Sequence, residues 1–158
     1  MRVVIDGVTL LGVYGVASDP VRYSGSAQRD RKRAWLARFN DLVAAESDSG
    51  PVLIIGDLNI VDPDDRDGLP HVLPEERAAY DRLLDLGFID AYRAGTSTTS
   101  ITWVGHSGVG CRYDHAFARG LRVVGAEIDD APRLDGHADH SAIAVAVTAT
   151  DCPPQRSS

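Results

Sequence analysis

The stretch that most constrains the fold is an unbroken apolar run from Pro51 to Ile55, followed at once by Gly56-Asp57-Leu58-Asn59. Branched side chains without polar alternation predict a short strand that is buried on both faces. Asp57 and Asn59 lie two residues apart, so on an extended backbone their side chains point to the same side. The carboxyl end of a buried strand is where open α/β sheets bind their ligands, which makes this pair a candidate base and phosphate or metal contact. Taken alone, these residues favour an Asx-type turn.

Composition and length indicate one globular domain. The chain has 158 residues, of which 44% are hydrophobic and 25% charged, enough to bury a core. No apolar run approaches the length of a membrane span, and the first residues lack signal-peptide anatomy. Cys111 and Cys152 have neither metal-ligand spacing nor the number that a disulfide framework needs. We therefore expect a reduced, cytoplasmic protein without a membrane partner.

The charge balance bears on the substrate. A net charge of −7 counts against a broad nucleic-acid-binding surface, which usually carries a basic stripe. It does not exclude a nuclease, because a metal-dependent site itself concentrates carboxylates. The basic residues of the first predicted helix are interpreted as a solvated helix face; they are Arg29, Arg31, Lys32, Arg33 and Arg38.

The pattern along the chain predicts an α/β domain over 1–149 and a flexible tail over 150–158. Asp6-Gly7 between branched apolar residues predicts a β-hairpin at the start of the chain. One helix is predicted from about Ser26 to Ala45, and a second begins at Pro74 and ends at Gly87. The later strands are predicted at Ile101–Val104, Cys111–Phe117, Leu121–Ile128 and Ser141–Thr148.

Several polar residues stand where predicted strands begin or end: Asp57, Asn59, Arg112, Asp114, His115, Asp139 and His140. Asp139-His140, directly before an apolar strand, is a candidate phosphate-binding pair. A carboxylate can fix the tautomer of an imidazole and hold it cationic, and a cationic imidazole stabilises charge on a phosphoryl oxygen. The alternative is a solvated pair in a loop.

The order of these motifs resembles the endonuclease/exonuclease/phosphatase superfamily. The resemblance rests on Gly56-Asp57-Leu58-Asn59, Thr102-Trp103, Arg112-Tyr113-Asp114-His115 and Ala138-Asp139-His140-Ser141. The stretches Leu73-Pro74-Glu75-Glu76-Arg77 and Gly87-Phe88-Ile89-Asp90 are similar to the exonuclease III branch, whose members are Mg²⁺-dependent 3′→5′ exonucleases and abasic-site endonucleases. The resemblance runs from about Val8 to Val147.

This resemblance implies a role for each matching residue. Asp57 would activate the attacking water, Asn59 would position that water or the phosphate, and Asp139 would hold His140 against the scissile phosphate. Asp114 would support the site from the neighbouring strand. The resemblance also implies phosphate contact by Tyr14 and substrate contacts by three other residues, Trp103, Arg112 and His115. Mg²⁺ or Mn²⁺ would be held by Asp57, Asn59 and Asp139. Trp103 equally suits a core position.

The chain also departs from that family. Members of the branch are longer at the N-terminus, and the segment that is missing here carries the glutamate that is their principal Mg²⁺ ligand. The expected fold is therefore a partial two-sheet α/β sandwich without its N-terminal strands, with one sheet face uncovered. Three hypotheses follow: a nuclease acting on DNA, a hydrolase of a small phosphoester, or a remnant without catalysis. In the last case a homo-oligomer or an N-terminal segment would complete the sheet.

Overall fold

The structure is a computed structural model that describes residues 1–17, 25–64, 72–96, 100–106 and 108–150. Its strands and helices, numbered in chain order, are β1 (Arg2–Ile5), β2 (Val8–Tyr14), α1 (Gly25–Ser47), β3 (Val52–Asp57), α2 (Pro74–Asp85), β4 (Ile89–Asp90), α3 (Ala91–Gly95), β5 (Trp103–Val104), β6 (Gly110–Cys111), β7 (Asp114–Arg119), β8 (Leu121–Asp129), α4 (Ala131–Leu134) and β9 (Ala142–Ala149).

Five strands form the main sheet in the order β1-β2-β3-β7-β4. The predicted hairpin of β1 and β2 is confirmed, with the turn at Asp6-Gly7. β2 and β3 are parallel and are connected through α1, which is the usual crossover between parallel strands. β7 runs antiparallel on the other side of β3. In this register Asp57 pairs with Tyr14 on one side and with Asp114 on the other, so three polar residues meet at one edge of the sheet.

The apolar run in β3 is buried on both faces, as predicted. Val52 and Ile54 belong to the core beneath α1 and α2, while Leu53 faces the opposite side of the sheet. On the helix side, Trp35 and Phe39 stack with their ring centroids 5.1 Å apart. This double burial fixes the strand firmly, and with it the position of the polar residues that follow.

A separate two-stranded hairpin, β8 and β9, packs against the other face of the main sheet. Leu121 of β8 contacts Leu53 and Ala118, and the valines of β9 lie beside them. The outward side of the hairpin is exposed: Val124 retains 57% of its accessible surface. The expected uncovered sheet face is therefore the outward side of this hairpin, which supplies two strands to the second layer of the sandwich among the described residues.

Two predicted strands are shorter than expected. The segment from Cys111 to Phe117 divides into β6 and β7, because the chain leaves the sheet at Arg112, whose side chain turns into the core. The strand predicted from Ile101 is ordered as β5 only at Trp103–Val104. Apart from Thr150, the predicted tail 150–158 lies outside the described residues. No helix within the described ranges has the length and apolar character needed to cross a membrane.

Candidate active site

The centre of the candidate site is a turn that leaves β3. The backbone N–H of Asn59 donates to Oδ1 of Asp57 at 2.8 Å, and Nδ2 of Asn59 donates to Oδ2 of Asp57 at 2.8 Å. The first of these bonds defines an Asx turn, so the turn that the sequence favours and the reactive pair are the same structure. Asn59 has φ +50°, an uncommon conformation for a residue other than glycine. Both hydrogen bonds hold the Asp57 carboxylate in one orientation.

Two glycines let the neighbouring backbone approach this turn. A Cβ on Gly15 would lie 2.1 Å from the carbonyl oxygen of Leu58, and a Cβ on Gly56 would lie 2.2 Å from that of Val13. Gly15 also donates its N–H to the carbonyl of Asp57 at 2.7 Å. Its own carbonyl accepts a hydrogen bond of 3.2 Å from Asn59 Nδ2. The end of β2 therefore supports the turn directly, and only glycine fits at these contacts.

Asp114 and His140 complete the polar cluster from two other segments. His140 Nδ1 lies 2.7 Å from Asp114 Oδ2, and His140 Nε2 lies 4.0 Å from Asp57 Oδ2. The ligand atoms of Asp57, Asp114 and His140 all lie within 4.8 Å of one another, close enough for a metal ion. The three side chains are 12%, 10% and 22% exposed, respectively, so the cluster is sheltered but reachable from solvent.

Thr102 connects the two segments that carry Asp114 and His140. Its hydroxyl accepts a hydrogen bond of 3.2 Å from the backbone N–H of Asp114. Its carbonyl accepts one of 2.8 Å from the N–H of Ser141. The next residue, Trp103, forms an isolated bridge with His140. Thr102 is fully buried. It was not among the predicted site residues, although Thr102-Trp103 is one of the motifs on which the family resemblance rests.

The environment shifts the pKa of two members of the cluster. Burial raises the pKa of Asp57, and the charge of Asp114 adds to the effect, while the hydrogen bond from the Asn59 backbone opposes it. The hydrogen bond to Asp114 raises the pKa of His140 above 6.5, although burial acts the other way. The site therefore favours a cationic imidazole beside a carboxylate of increased basicity, which is the pairing that phosphoryl chemistry needs.

Lys32 reaches the same turn from behind, contrary to the prediction of a solvated helix face. Its side chain is fully buried, its ammonium group donates to the carbonyl of Asn59, and it lies 3.7 Å from Glu76 Oε1. Burial lowers the pKa of Lys32, while the charge of Glu76 opposes that shift. A sequence signal for this position exists: Lys32 precedes Leu36 and Phe39 by four and seven residues, so it falls on the apolar side of α1.

Arg112 and His115 do not lie where a substrate contact was predicted. Both are fully buried in a charge cluster formed by Asp62, Asp90, Arg112 and His115, which we call the buried charge cluster. Arg112 donates to Asp62 at 2.7 Å and to Asp90 at 2.5 Å. His115 Nε2 lies 2.7 Å from the carbonyl of Ile60. Because the guanidinium is paired with two carboxylates in the core, its surroundings are those of a structural ion pair.

The sequence profile of the Endonuclease/Exonuclease/phosphatase family matches residues 1–151. The chain belongs to this family. Its fold also resembles that of solved structures, including a 3′-5′ exonuclease from Neisseria meningitidis, with 24% identity, a TM-score of 0.72, and coverage of 92% of this chain and 63% of that one. The structure of a 3′ phosphatase from Neisseria bound to a product DNA hairpin matches with 23% identity and a TM-score of 0.75, over 93% of this chain and 63% of that one.

An AP endonuclease from Archaeoglobus fulgidus matches with 22% identity and a TM-score of 0.69, over 96% of this chain and 64% of that one. No curated protein sequence matches significantly. The chain thus spans about 63% of the length of the first solved relatives that it matches. These likenesses confirm a partial sandwich of the Endonuclease/Exonuclease/phosphatase fold, with a five-stranded sheet and a two-stranded second layer.

In this family member the carboxylate that holds His140 is Asp114, whereas the resemblance assigned that role to the adjacent Asp139. Asp139 is exposed and lies outside the group of close ligand atoms. The charge of Asp139 still adds to the raised pKa of His140, after the larger effect of the hydrogen bond to Asp114. Tyr14 is 83% exposed beside Asp57. Trp103 is half-buried and contacts the ring of Tyr113, with the ring centroids 5.6 Å apart.

Proposed function

We propose that this chain is a phosphoester hydrolase that cleaves phosphodiester bonds in DNA. The observation that carries the proposal is the cluster of Asp57, Asp114 and His140, which gathers two carboxylates and an imidazole at one edge of the main sheet. Membership of the Endonuclease/Exonuclease/phosphatase family supports this reaction class. A Neisseria relative with the same fold was solved with a product DNA hairpin, which supports DNA as the substrate.

In the proposed mechanism Asp57 accepts a proton from the attacking water. The water oxygen forms a new bond to phosphorus, the bond from phosphorus to the sugar oxygen breaks, and that oxygen leaves and takes a proton from solvent. The two hydrogen bonds from Asn59 fix the Asp57 carboxylate, and the raised pKa of Asp57 makes it a better base near neutral pH. His140 donates from Nε2 to a phosphoryl oxygen and stabilises the charge that develops there. Asp114 binds Nδ1 of His140, which fixes the tautomer and favours the cation.

Two aromatic residues would border the substrate. Tyr14 pairs with Asp57 in the sheet register, and its exposed side chain is suited to contact a phosphate. Trp103 bridges to His140 through its backbone and contacts Tyr113 with its ring. Such a half-buried aromatic group is suited to line a pocket for the sugar. Arg112 and His115 are left out of the proposed substrate contacts, because both are fully buried.

The residues present fit a divalent cation. Mg²⁺ binds through one or two carboxylates together with water and substrate phosphates, and the close ligand atoms of Asp57 and Asp114 offer two carboxylates. Asp57, Asp114 and the side-chain oxygen of Asn59 are the residues proposed to hold Mg²⁺ or Mn²⁺. Asp139, which the resemblance also implied as a ligand, is exposed and lies outside this group of close ligand atoms. When bound, the cation would polarise the phosphoryl group and neutralise its charge.

A small phosphoester is the second candidate substrate. The net charge of −7 favours it, because a DNA-binding surface gains most of its affinity from basic residues. The uncovered β8–β9 hairpin supports a further proposal, that an additional segment or a second copy of the chain packs against it and completes the second sheet. Sedimentation of the purified chain tests the second copy, and a clean monomer would argue against it. The cytoplasm is the compartment that this proposal assumes.

The test is hydrolysis of a labelled duplex with one abasic site and, separately, of bis(p-nitrophenyl) phosphate. Each is measured in Mg²⁺, in Mn²⁺ and in EDTA, with Asp57→Asn as the inactive variant. Asp135→Asn is the matched control, because it makes the same chemical change in the exposed loop before His140. Metal-dependent incision that is lost only in Asp57→Asn supports the DNA hydrolase. Cleavage of the small diester alone supports the second candidate, and equal rates in wild type and Asp57→Asn would refute both.

A further inference from the structure

The feature that carries a further inference is a lysine buried behind the candidate site. Lysine is almost never fully buried unless it is paired, yet the side chain of Lys32 is 0% exposed. Its ammonium group donates to the carbonyl of Asn59 and faces Glu76 Oε1 at 3.7 Å. Lys32 therefore connects α1 to the turn that presents Asp57, and Glu76 of α2 is its counter-ion.

The carbonyl that Lys32 binds belongs to the residue in the uncommon conformation. With φ +50°, Asn59 directs its backbone N–H and its side-chain amide to the two oxygens of Asp57 at the same time. A residue other than glycine stays in this region only where its surroundings hold it. The hydrogen bonds to Asp57 and Gly15 hold Asn59 from the solvent side, and the bond from Lys32 holds its carbonyl from the core.

Glu76 depends on the same lysine. Its side chain is 1% exposed, its Oε1 accepts the N–H of Leu73 at 3.2 Å, and its Oε2 has no hydrogen-bond partner. A buried carboxylate with one oxygen unpartnered needs a nearby cation, which Lys32 supplies. The contrast with the neighbouring pair is clear: Arg33 and Glu75 join the same two helices at 2.8 Å, but both are about half exposed and neither is bonded to the turn.

We infer that Lys32 is a positioning residue of this site: it holds the Asn59 carbonyl and thereby the Asp57 carboxylate in the geometry that the reaction needs. Lys32 does not touch the substrate, and it acts through Asn59. The inference rests on the proposed hydrolase function for its kinetic consequence. The structural part of the inference, that Lys32 holds Asn59, does not depend on activity.

The experiment compares Lys32→Met with Arg33→Met. Methionine keeps the length and apolar stem of lysine but removes the ammonium group. Arg33→Met is the matched control, since it breaks an ion pair between the same helices without reaching the turn. Because Lys32→Met leaves Glu76 buried without its cation, the double variant Lys32→Met/Glu76→Gln is made as well. The introduced amide still presents a carbonyl oxygen to the N–H of Leu73, so the double variant preserves the start of α2.

Two readouts are measured on each folded variant. The first is the split between kcat and KM in the diester assay: kcat should fall by about 10- to 100-fold, because a small displacement of a reacting group is costly. KM should stay within about twofold, because no substrate contact is lost. The second is the amide NMR signals of Asn59, backbone and side chain, in metal-free protein. These should shift and exchange faster with solvent in both Lys32 variants and remain unchanged in Arg33→Met.

The two readouts separate the inference from the function on which it rests. If wild type hydrolyses nothing while Asn59 loses protection in the double variant, the proposed function fails and the positioning role of Lys32 stands. If the folded double variant keeps the Asn59 signals and the kcat of wild type, the inference is overturned. Equal losses of kcat in Lys32→Met and Arg33→Met would also overturn it, because the effect would then come from helix packing.

Discussion

His140 Nδ1 lies 2.7 Å from Oδ2 of Asp114, a residue 26 positions earlier in the chain. This bond sets both the tautomer and the charge of the imidazole. The hydrogen bond from His140 to Asp114 raises the pKa of His140, and the nearby charge of Asp57 acts in the same direction. The pKa of His140 therefore reports on this bond and can be measured without substrate.

We expect the pKa of His140 to exceed 6.5 in metal-free wild type and to fall in Asp114→Asn, because the amide offers no negative charge. Since the folded pKa is raised, the bond stabilises the fold fully below the unfolded value and loses this contribution as the pH rises through the folded pKa. Histidine NMR signals followed against pH give the value, with exposed His137 as internal reference. An unchanged His140 pKa in the variant would contradict the assignment.

Asp57→Asn is expected to slow hydrolysis by about 10²- to 10⁴-fold, the range for loss of a general base, without loss of stability. Burial raises the pKa of Asp57, so its ionised form opposes folding at neutral pH. A neutral amide removes that cost, and we expect a free energy of unfolding within about 1 kcal/mol of wild type or above it. Urea unfolding at pH 7 measures this. A marked loss of stability would mean that the carboxylate serves the fold.

In contrast to Asp57→Asn, a substitution in the buried charge cluster is expected to lower the stability of the fold. Arg112→Met removes the cation that pairs with Asp62 and Asp90 in the core. Asp62 keeps its ion pair with Arg93, whereas Asp90 loses the guanidinium that pairs with it in the core. Removing one partner of a buried ion pair costs about 3–5 kcal/mol, so the variant should unfold at much lower urea concentration. Exposed Arg122→Met is the control, since it lies at the surface of β8. Equal stability of the two variants would show that the cluster contributes nothing.

The same cluster predicts a loss of stability in acid. Burial acts to raise the pKa of Asp90, but the nearby imidazole of His115 and the hydrogen bonds from Arg112 outweigh it and hold that pKa well below its ordinary value. A depressed carboxyl pKa stabilises the fold above the unfolded value, about 4, and this contribution disappears as the pH falls below it. The melting temperature of wild type should therefore drop below about pH 4, and Asp90→Asn should flatten that drop while lowering the plateau.

Gly15→Ala tests the close approach of β2 to the turn that carries Asp57. The added Cβ would lie 2.1 Å from the Leu58 carbonyl oxygen, so the turn must move. We expect kcat to fall by about 100-fold, as for other small displacements of a reacting group. Gly95→Ala, where a Cβ meets nothing within 4 Å, is the control and should keep wild-type kinetics. Full activity in Gly15→Ala would show that the turn tolerates the shift.

The part of the site that is continuous in sequence was predictable. Asp57 and Asn59 follow an apolar strand directly, as predicted, but their side chains meet through an Asx turn with Asn59 at φ +50° and not along an extended backbone. The partner of His140 was not predictable, because two aspartates competed and only the contacts of Thr102 and Trp103 with both segments bring Asp114 to it. Asp139 is adjacent to His140 in the sequence, but Asp114 makes the hydrogen bond.

The burial of two charged residues was the other feature that was hard to predict from the sequence. Arginine and lysine are normally exposed, so residue type alone predicts a surface position for Arg112 and Lys32. Their burial depends on carboxylates that are distant in the chain, Asp62, Asp90 and Glu76. The position of Lys32 on the apolar side of α1 was a usable signal. For Arg112 the alternation of the strand gave none, because the chain leaves the sheet at that residue.

The three members of the polar cluster come from β3, β7 and the segment before β9, so the first and last are 83 positions apart. Contacts between such distant residues form only after the chain between them has been ordered, at the expense of loop-closure entropy. A chain that has folded α1 and the first hairpin alone has no reactive site. Phosphoester hydrolysis would thus begin only when the whole domain is assembled, and incompletely folded chains would not cleave nucleic acid.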